Sequence, residues 1–375
     1  MQAEAFIVVG AGIAGASAAY ELAKVAPVII LERESQPGYH TTGRSAAVFS
    51  ETYGNATIRA VTIRSRSFFA SPPNGFADHP LWAPRQTLMV ARADQMEKLR
   101  LAYDEWARLV PSIQFLEGNR ARNVTPMLKA DYVAGAVIDA GASDLDVNEI
   151  HHGFLRGAAR AGAKLVCNAE VSALSRDSAG WRVQTKAGEF AGRVVVNAAG
   201  AWGDEIGVLA GARPVGLVPK RRTAVLFDPA PAADVRAWPI IIDADEQFYF
   251  KPDAGKLLGS PADETASPPC DAQPEEIDVA IAVDRIEQAA NFRVQRVLRK
   301  WAGLRTFVAD KSPVVGFDSE LPGFFWLVAQ GGYGIQTAPA LGRIAAALAR
   351  GAEIPEDLRE LGVAAENLSP ARIRH

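Results

Sequence analysis

Three apolar patterns follow one another at the start of the chain. Ala5 to Val9 is a continuous apolar run, as expected of a parallel strand covered on both faces. Ala14 to Lys24 is rich in Ala, Leu and Glu and predicts a helix; Val28 to Leu31 predicts a second parallel strand that ends at Glu32. Read by hydropathy alone, Phe6 to Leu31 resembles a membrane span. Gly10, Gly12 and Gly15 interrupt it, however, Glu21 and Lys24 place charges in it, and Pro27 precedes its last run. Strand, turn, helix and strand account for all of these residues and predict a doubly wound α/β opening.

Further along, a polar loop from Gly38 to Ala46 leads into a helical stretch that breaks at Ser71-Pro72-Pro73-Asn74-Gly75. An amphipathic helix is expected over 94–110, a helix over 148–161 carrying His151 and His152 on its surface, and strands over 164–167, 181–185 and 189–195. Segments 215–227, 239–243 and 246–251 read as strands of an antiparallel sheet, the kind that can present one face to a ligand. A Pro-rich loop spans 261–274, and 277–298 reads as one helix. Residues 324–328 then read as a strand, followed by a glycine turn and a helix over 337–350. The expected fold class is α/β: a discontinuous Rossmann-like domain over 1–80, 145–215 and 303–375, and an α+β substrate domain with an antiparallel sheet over 81–144 and 216–302.

Composition narrows the function. With 40 basic and 43 acidic residues and a net charge of −3, nothing points to nucleic acid or to a charged membrane surface. The two cysteines, Cys167 and Cys270, lack C-x-x-C spacing, which argues against a disulfide framework, a metal site and an iron–sulfur cluster. No transmembrane segment and no basic signal start are read, so a cytoplasmic protein, or one peripheral to the inner membrane, is expected.

Gly10-x-Gly12-x-x-Gly15 sits after a strand and opens a helix, as the dinucleotide fingerprint requires. The first glycine permits the tight turn, the second lets backbone approach a pyrophosphate, and the third lets helix and strand pack closely. The diphosphate then lies over Ile13 and Ala14 at the helix N-terminus, and Glu32 stands where a carboxylate binds ribose hydroxyls. NAD and FAD share this fingerprint. Three further segments bear on the choice. Thr42-Gly43-Arg44-Ser45-Ala46 offers small donors to a diphosphate and a flavin ring, or is an ordinary polar loop. Asn197 to Trp202 follows an apolar strand and places Ala199, Gly200 and Trp202 near a cofactor, or simply packs on a neighbouring strand. Gln330-Gly331-Gly332-Tyr333-Gly334-Ile335-Gln336 forms a second strand–turn–helix unit, whose helix N-terminus would stabilise negative charge on a reduced flavin.

Together with Gln36 to His40, Pro219 to Arg222, Lys251 to Gly255, Leu258 to Pro261 and Trp301 to Arg305, these segments resemble the D-amino-acid oxidase-like flavoprotein family, most closely its bacterial D-arginine dehydrogenase branch. The resemblance spans almost the whole chain. It implies non-covalent FAD, with Arg33, Val171, Gly331, Gly332, Tyr333, Gly334, Ile335 and Gln336 among its contacts. It also implies oxidation of a D-amino acid by hydride transfer from Cα to flavin N5, with quinone or oxygen as the final acceptor.

The chemistry of that reaction agrees. An amino acid must be held by its carboxylate, presented as a neutral amine and oriented at Cα. Arginine is the natural clamp because its planar fork pairs both carboxylate oxygens. Arg222 and Arg305 match the family's clamp positions; the alternatives are a solvated basic edge at 220–222 and an interface ion pair at Arg305. Along a strand, Lys220 and Arg222 share a face while Arg221 points the other way. Tyr53 and Tyr249 match substrate-lining tyrosines, the backbone carbonyls of Gly303 or Gly332 can take the amine's hydrogens, and Ile335 completes the wall. Two departures concern the side chain. Val48 stands where the branch carries a histidine, and Thr87 stands near an acid that would face a cationic group, so neutral or aromatic side chains are expected. The competing readings are an oxidase of N-methyl or cyclic amino acids or of 2-hydroxy acids, and a non-catalytic dinucleotide-binding protein.

Overall fold

A computed structural model describes residues 5–374. Its first sheet has six strands in the order Val314–Phe317, Phe324–Val328, Val194–Asn197, Phe6–Val9, Val28–Leu31, Lys164–Val166. All neighbours are parallel except the first pair. The opening apolar run is explained by its two covers. Phe6 and Val8 join a core with helices Ile13–Leu22, Val147–Arg160 and Gly334–Ala349, while Ile7 and Val9, with Trp326 of the same sheet, join a second core on the other face that contains Trp181 and Val183 of its cover. That second cover is a small antiparallel sheet, Val171–Asp177, Gly180–Thr185 and Gly188–Gly192, of which the first strand was not anticipated.

The second sheet has eight strands: Arg293–Phe307, Val218–Ala230, Lys256–Ser260, Tyr249–Asp253, Ile240–Asp243, Thr87–Ala91, Gly135–Asp139 and Gln114–Glu117. It departs from the antiparallel expectation at one junction, where Ile240–Asp243 runs parallel to Thr87–Ala91. Alternation gives it two faces. Leu88, Val90, Ile138, Val225 and Phe250 pack into a core beneath the helix Glu276–Ala289, leaving Thr87, Met89, Asp139 and Tyr249 on the opposite face.

The single helix expected over 277–298 is corrected. The helix ends at Ala289, and Ala290 is extended. Asn291 turns its side chain to the carbonyls of Pro126 and Leu128, and Arg293 starts a strand that pairs with Val218–Ala230 along its length. The mixture of Arg, Val and Leu in 293–298 is neutral between helix and strand, so the long-range pairing decides. That strand also runs through residue 303, carrying residues from both sides of the expected domain division. The helix surface expected for His151 is likewise corrected: His151 is buried, whereas His152 does face outward.

Candidate active site

The two sheets meet across a cavity of about 550 Å³. One end is shaped by glycine. At Gly10 (φ +100°) a Cβ would lie 2.6 Å from the Ala198 carbonyl oxygen, and at Gly15 it would overlap the Gly10 carbonyl oxygen. Only glycine closes this turn. The helix that follows begins at Gly12 with no side-chain cap, and Thr42 Oγ1 accepts from the Ile13 N–H at 3.0 Å. A buried carboxylate holds the turn from beneath, with Glu32 Oε2 accepting from the Ala11 N–H at 2.9 Å and Oε1 from the Glu34 N–H at 3.0 Å.

His151 is the residue that sequence reading missed here. Its Nε2 donates to the Ala11 carbonyl at 2.7 Å, and burial, opposed by that bond, pushes its pKa down to about 4. The helical position of His151 was legible; its inward direction depends on packing against the turn.

A second uncapped helix, Gly334–Ala349, opens on the same cavity, with Tyr333 at its N-cap and Gly331, Gly332, Ile335 and Gln336 in the wall. Two helix N-termini without a side-chain bond from their N-cap residue, the first with only its Ile13 N–H taken by Thr42, fit a cofactor with a diphosphate and an electron-accepting ring. Ala14, Ser45, Ala46 and Gly200 line the wall between them. Arg44 also lines it but sends its guanidinium toward the second sheet, donating to the carbonyls of Ala272 (2.8 Å) and Ala302 (3.1 Å).

Other expected cofactor residues stand outside the cavity wall. Gly43 packs where a Cβ would sit 2.6 Å from the Gly38 carbonyl oxygen. Arg33 lies 4.9 Å over the Trp202 ring, Val171 is buried, and Ala199 donates its N–H to Asn197 Oδ1 at 3.3 Å.

The other end is made of side chains. Arg222 lies opposite Gly303 and Arg305 opposite Lys220, so the two arginines share the cavity face; Arg221 points away to Asp278 on the helix Glu276–Ala289. Arg305 Nη2 donates to the Tyr53 hydroxyl at 2.6 Å, and its guanidinium lies so close over Gly332 that a Cβ there would overlap it. Arg305 Nη1 is buried without a hydrogen-bond partner. Tyr53 stacks edge-on against Tyr333 at 4.8 Å, and Tyr249 adds its ring from two strands beyond Arg222 in the same sheet.

Beyond the arginines the wall is mainly apolar: Val48, Met89, Trp106, Ile240 and Ile242. Thr87 sits in it with its hydroxyl unpaired. Asp139, directly across the ladder from Thr87, was not foreseen, because its neighbour is set by strand register. Its oxygens accept from Ser50 Oγ and from the Gly141 N–H, both at 3.0 Å, and burial outweighs these bonds to raise its pKa above the ordinary carboxylate value.

No helix among the described residues is long and apolar enough to cross a membrane. The glycine oxidase of Geobacillus kaustophilus (strain HTA426) is 24% identical over 365 residues, covering 94% of each chain. The crystal structure of glycine oxidase from Geobacillus kaustophilus superposes with a TM-score of 0.82 over 99% of this chain and 98% of that one, at 23% identity. L-proline dehydrogenase from P. horikoshii gives 0.82 over 98% and 97%, at 23% identity. Iminodiacetate oxidase from Chelativorans sp. BNC1 gives 0.79 over 97% and 98%, at 19% identity. These likenesses carry the fold. The model of the DAO family, described as FAD dependent oxidoreductase, matches residues 5–348, and the chain belongs to that family, with FAD as the cofactor of the glycine-shaped end.

Proposed function

We propose that the protein oxidises D-amino acids with neutral or aromatic side chains to 2-imino acids, which water converts to 2-oxo acids and ammonia. The observation that carries this reading is the division of one cavity into a cationic end, Arg222 and Arg305, and an apolar end, Met89, Trp106 and Ile242, beside the FAD end. The arginines hold the substrate's carboxylate through charge-assisted bonds, and Arg305 has a free buried N–H for it. Tyr53 orients Arg305, while Tyr249 packs the bound molecule from the sheet. The Gly303 or Gly332 carbonyl receives the amine's hydrogens. Bound FAD would supply the acceptor for the hydride from Cα, with quinone or oxygen as the final electron acceptor.

The side-chain preference follows from Val48 and Thr87. A cationic group at the apolar end would forgo a charged hydrogen bond worth about 1.5–3 kcal/mol. Asp139 faces Thr87 in the same wall, but Ser50 and Gly141 tie its oxygens to the sheet and burial disfavours its charged form. Relatives named for glycine, L-proline and iminodiacetate support a second reading, a small or secondary amino acid. Anaerobic mixing with D- and L-amino acids, N-methyl amino acids and 2-hydroxy acids tests both. Loss of oxidised-flavin absorption is expected with D-phenylalanine, D-methionine and D-leucine, with ammonia as product. A preference for D-arginine of about a hundredfold in kcat/KM would overturn the side-chain assignment.

A further inference from the structure

After the strand Lys256–Ser260 the chain runs back along Val218–Ala230. The Arg221 N–H donates to the Thr265 carbonyl at 2.8 Å, the Ser267 N–H donates to the Pro219 carbonyl at 3.0 Å, and Ala266 bridges Lys220. This path lays Glu264 beside Lys220, Arg222 and Arg305. Glu264 Oε2 accepts from Lys220 Nζ at 2.9 Å; Oε1 lies 3.3 Å from Arg222 Nη2 and 3.6 Å from Arg305 Nη1. A carboxylate of the chain therefore already stands between the two guanidinium groups.

Neither arginine depends on Glu264 for its direction. Arg222 Nε donates to the Asp263 carbonyl at 2.9 Å, and Arg305 is fixed by Tyr53 and by its seat on Gly332. Glu264 has 33% of its side chain exposed and can swing outward, whereas both arginines are nearly buried at 13% and 11%. Three cations facing one carboxylate keep a surplus of positive charge, enough to attract a second anion. Partial burial would raise the Glu264 carboxyl, but Lys220, Arg305 and Arg222 hold it below the ordinary range, so it is anionic at neutral pH.

We propose that Glu264 is an internal competitor for the arginine clamp, displaced from Arg222 and Arg305 as the substrate's carboxylate seats and returning as the 2-oxo acid leaves. This rests on the reading of Arg222 and Arg305 as that clamp. Its consequence is a carboxylate affinity set deliberately low, which favours product release over tight holding.

The test uses the FAD-loaded protein and propionate, a carboxylate with no amine to oxidise, followed by the perturbation of the flavin absorption band. Glu264→Gln keeps the shape and a hydrogen-bonding group beside Lys220, and retained flavin absorption reports its fold. Propionate should bind this variant about tenfold more tightly than the parent, the scale of one charge-assisted bond no longer contested. KM for the amino acid should fall by a similar factor with no rise in kcat. Equal or weaker propionate binding overturns the proposal. An Arg305→Leu protein measured alongside separates the two ways of failing. If propionate binding depends on Arg305 and not on Glu264, the competitor is refuted and the clamp stands. Binding that ignores Arg305 refutes both.

Discussion

At the cofactor end of the cavity the chain offers backbone, the turn from Gly10 to Gly15 and the helix N-termini at Gly12 and Tyr333. At the substrate end it offers side chains, Arg222, Tyr249 and Arg305, from strands scattered along the sequence. The materials differ in how they tolerate change. A backbone cradle has no atom to trim, and a Cβ added at Gly10 or Gly15 would collide with a carbonyl oxygen. A side-chain wall can be altered one group at a time, with the loss measured by that group's bonds.

The largest expected effect is at Gly15. A side chain there overlaps the Gly10 carbonyl oxygen, so Gly15→Val should purify without flavin or fail to fold, as read from visible absorption per protein. Full flavin content would break the comparison. Next, Arg305→Leu should keep its flavin, yet lose about 10²- to 10³-fold in kcat/KM, as truncating a buried charge costs about 2–5 kcal/mol. Equal loss of flavin would show the ends to be inseparable.

A smaller effect sharpens the cofactor end through His151. Its imidazole is kept neutral in the fold, at a pKa of about 4 against an ordinary 6.5. Below pH 6.5 the unfolded chain binds a proton that the folded chain refuses. Stability from this group is therefore complete above pH 6.5 and declines as pH falls toward 4, by about 3 kcal/mol in all. Denaturant unfolding of parent and His151→Gln across this range should converge by that amount toward low pH. Parallel curves would remove His151 from the support of the turn.

What was legible in the sequence follows the same division. The glycine turn and the turn at 330–336 are local, so neighbours in the chain are neighbours in space, whereas Glu32, expected to face a ribose, has its oxygens on the Ala11 and Glu34 N–H groups. The substrate wall is a product of register. Asp139 meets Thr87 only because two strands pair with that offset, and Glu264 reaches the arginines only because a Pro-rich loop runs back along one strand. Arg222 and Arg305 were reachable through family resemblance, and the parity of Lys220 and Arg222 through strand alternation. The helix expected over 277–298 failed where tertiary pairing, and no local preference, decided the outcome.

The long strand Arg293–Phe307 has a consequence for recombination. Near its inner end, Thr41 Oγ1 donates to the Leu304 carbonyl at 2.7 Å, Arg44 donates to the Ala302 carbonyl at 3.1 Å, and Trp301 Nε1 donates to the Arg44 carbonyl at 3.0 Å. The same strand supplies Arg305 and Gly303 to the cavity wall. A chimera cut at residue 302 would sever a continuous ladder from its own end, pairing one parent's strand with another's loop. The exchangeable module is the whole strand together with residues 41–46, so under the proposed clamp a change of substrate range would carry part of the loop beside the glycine turn with it.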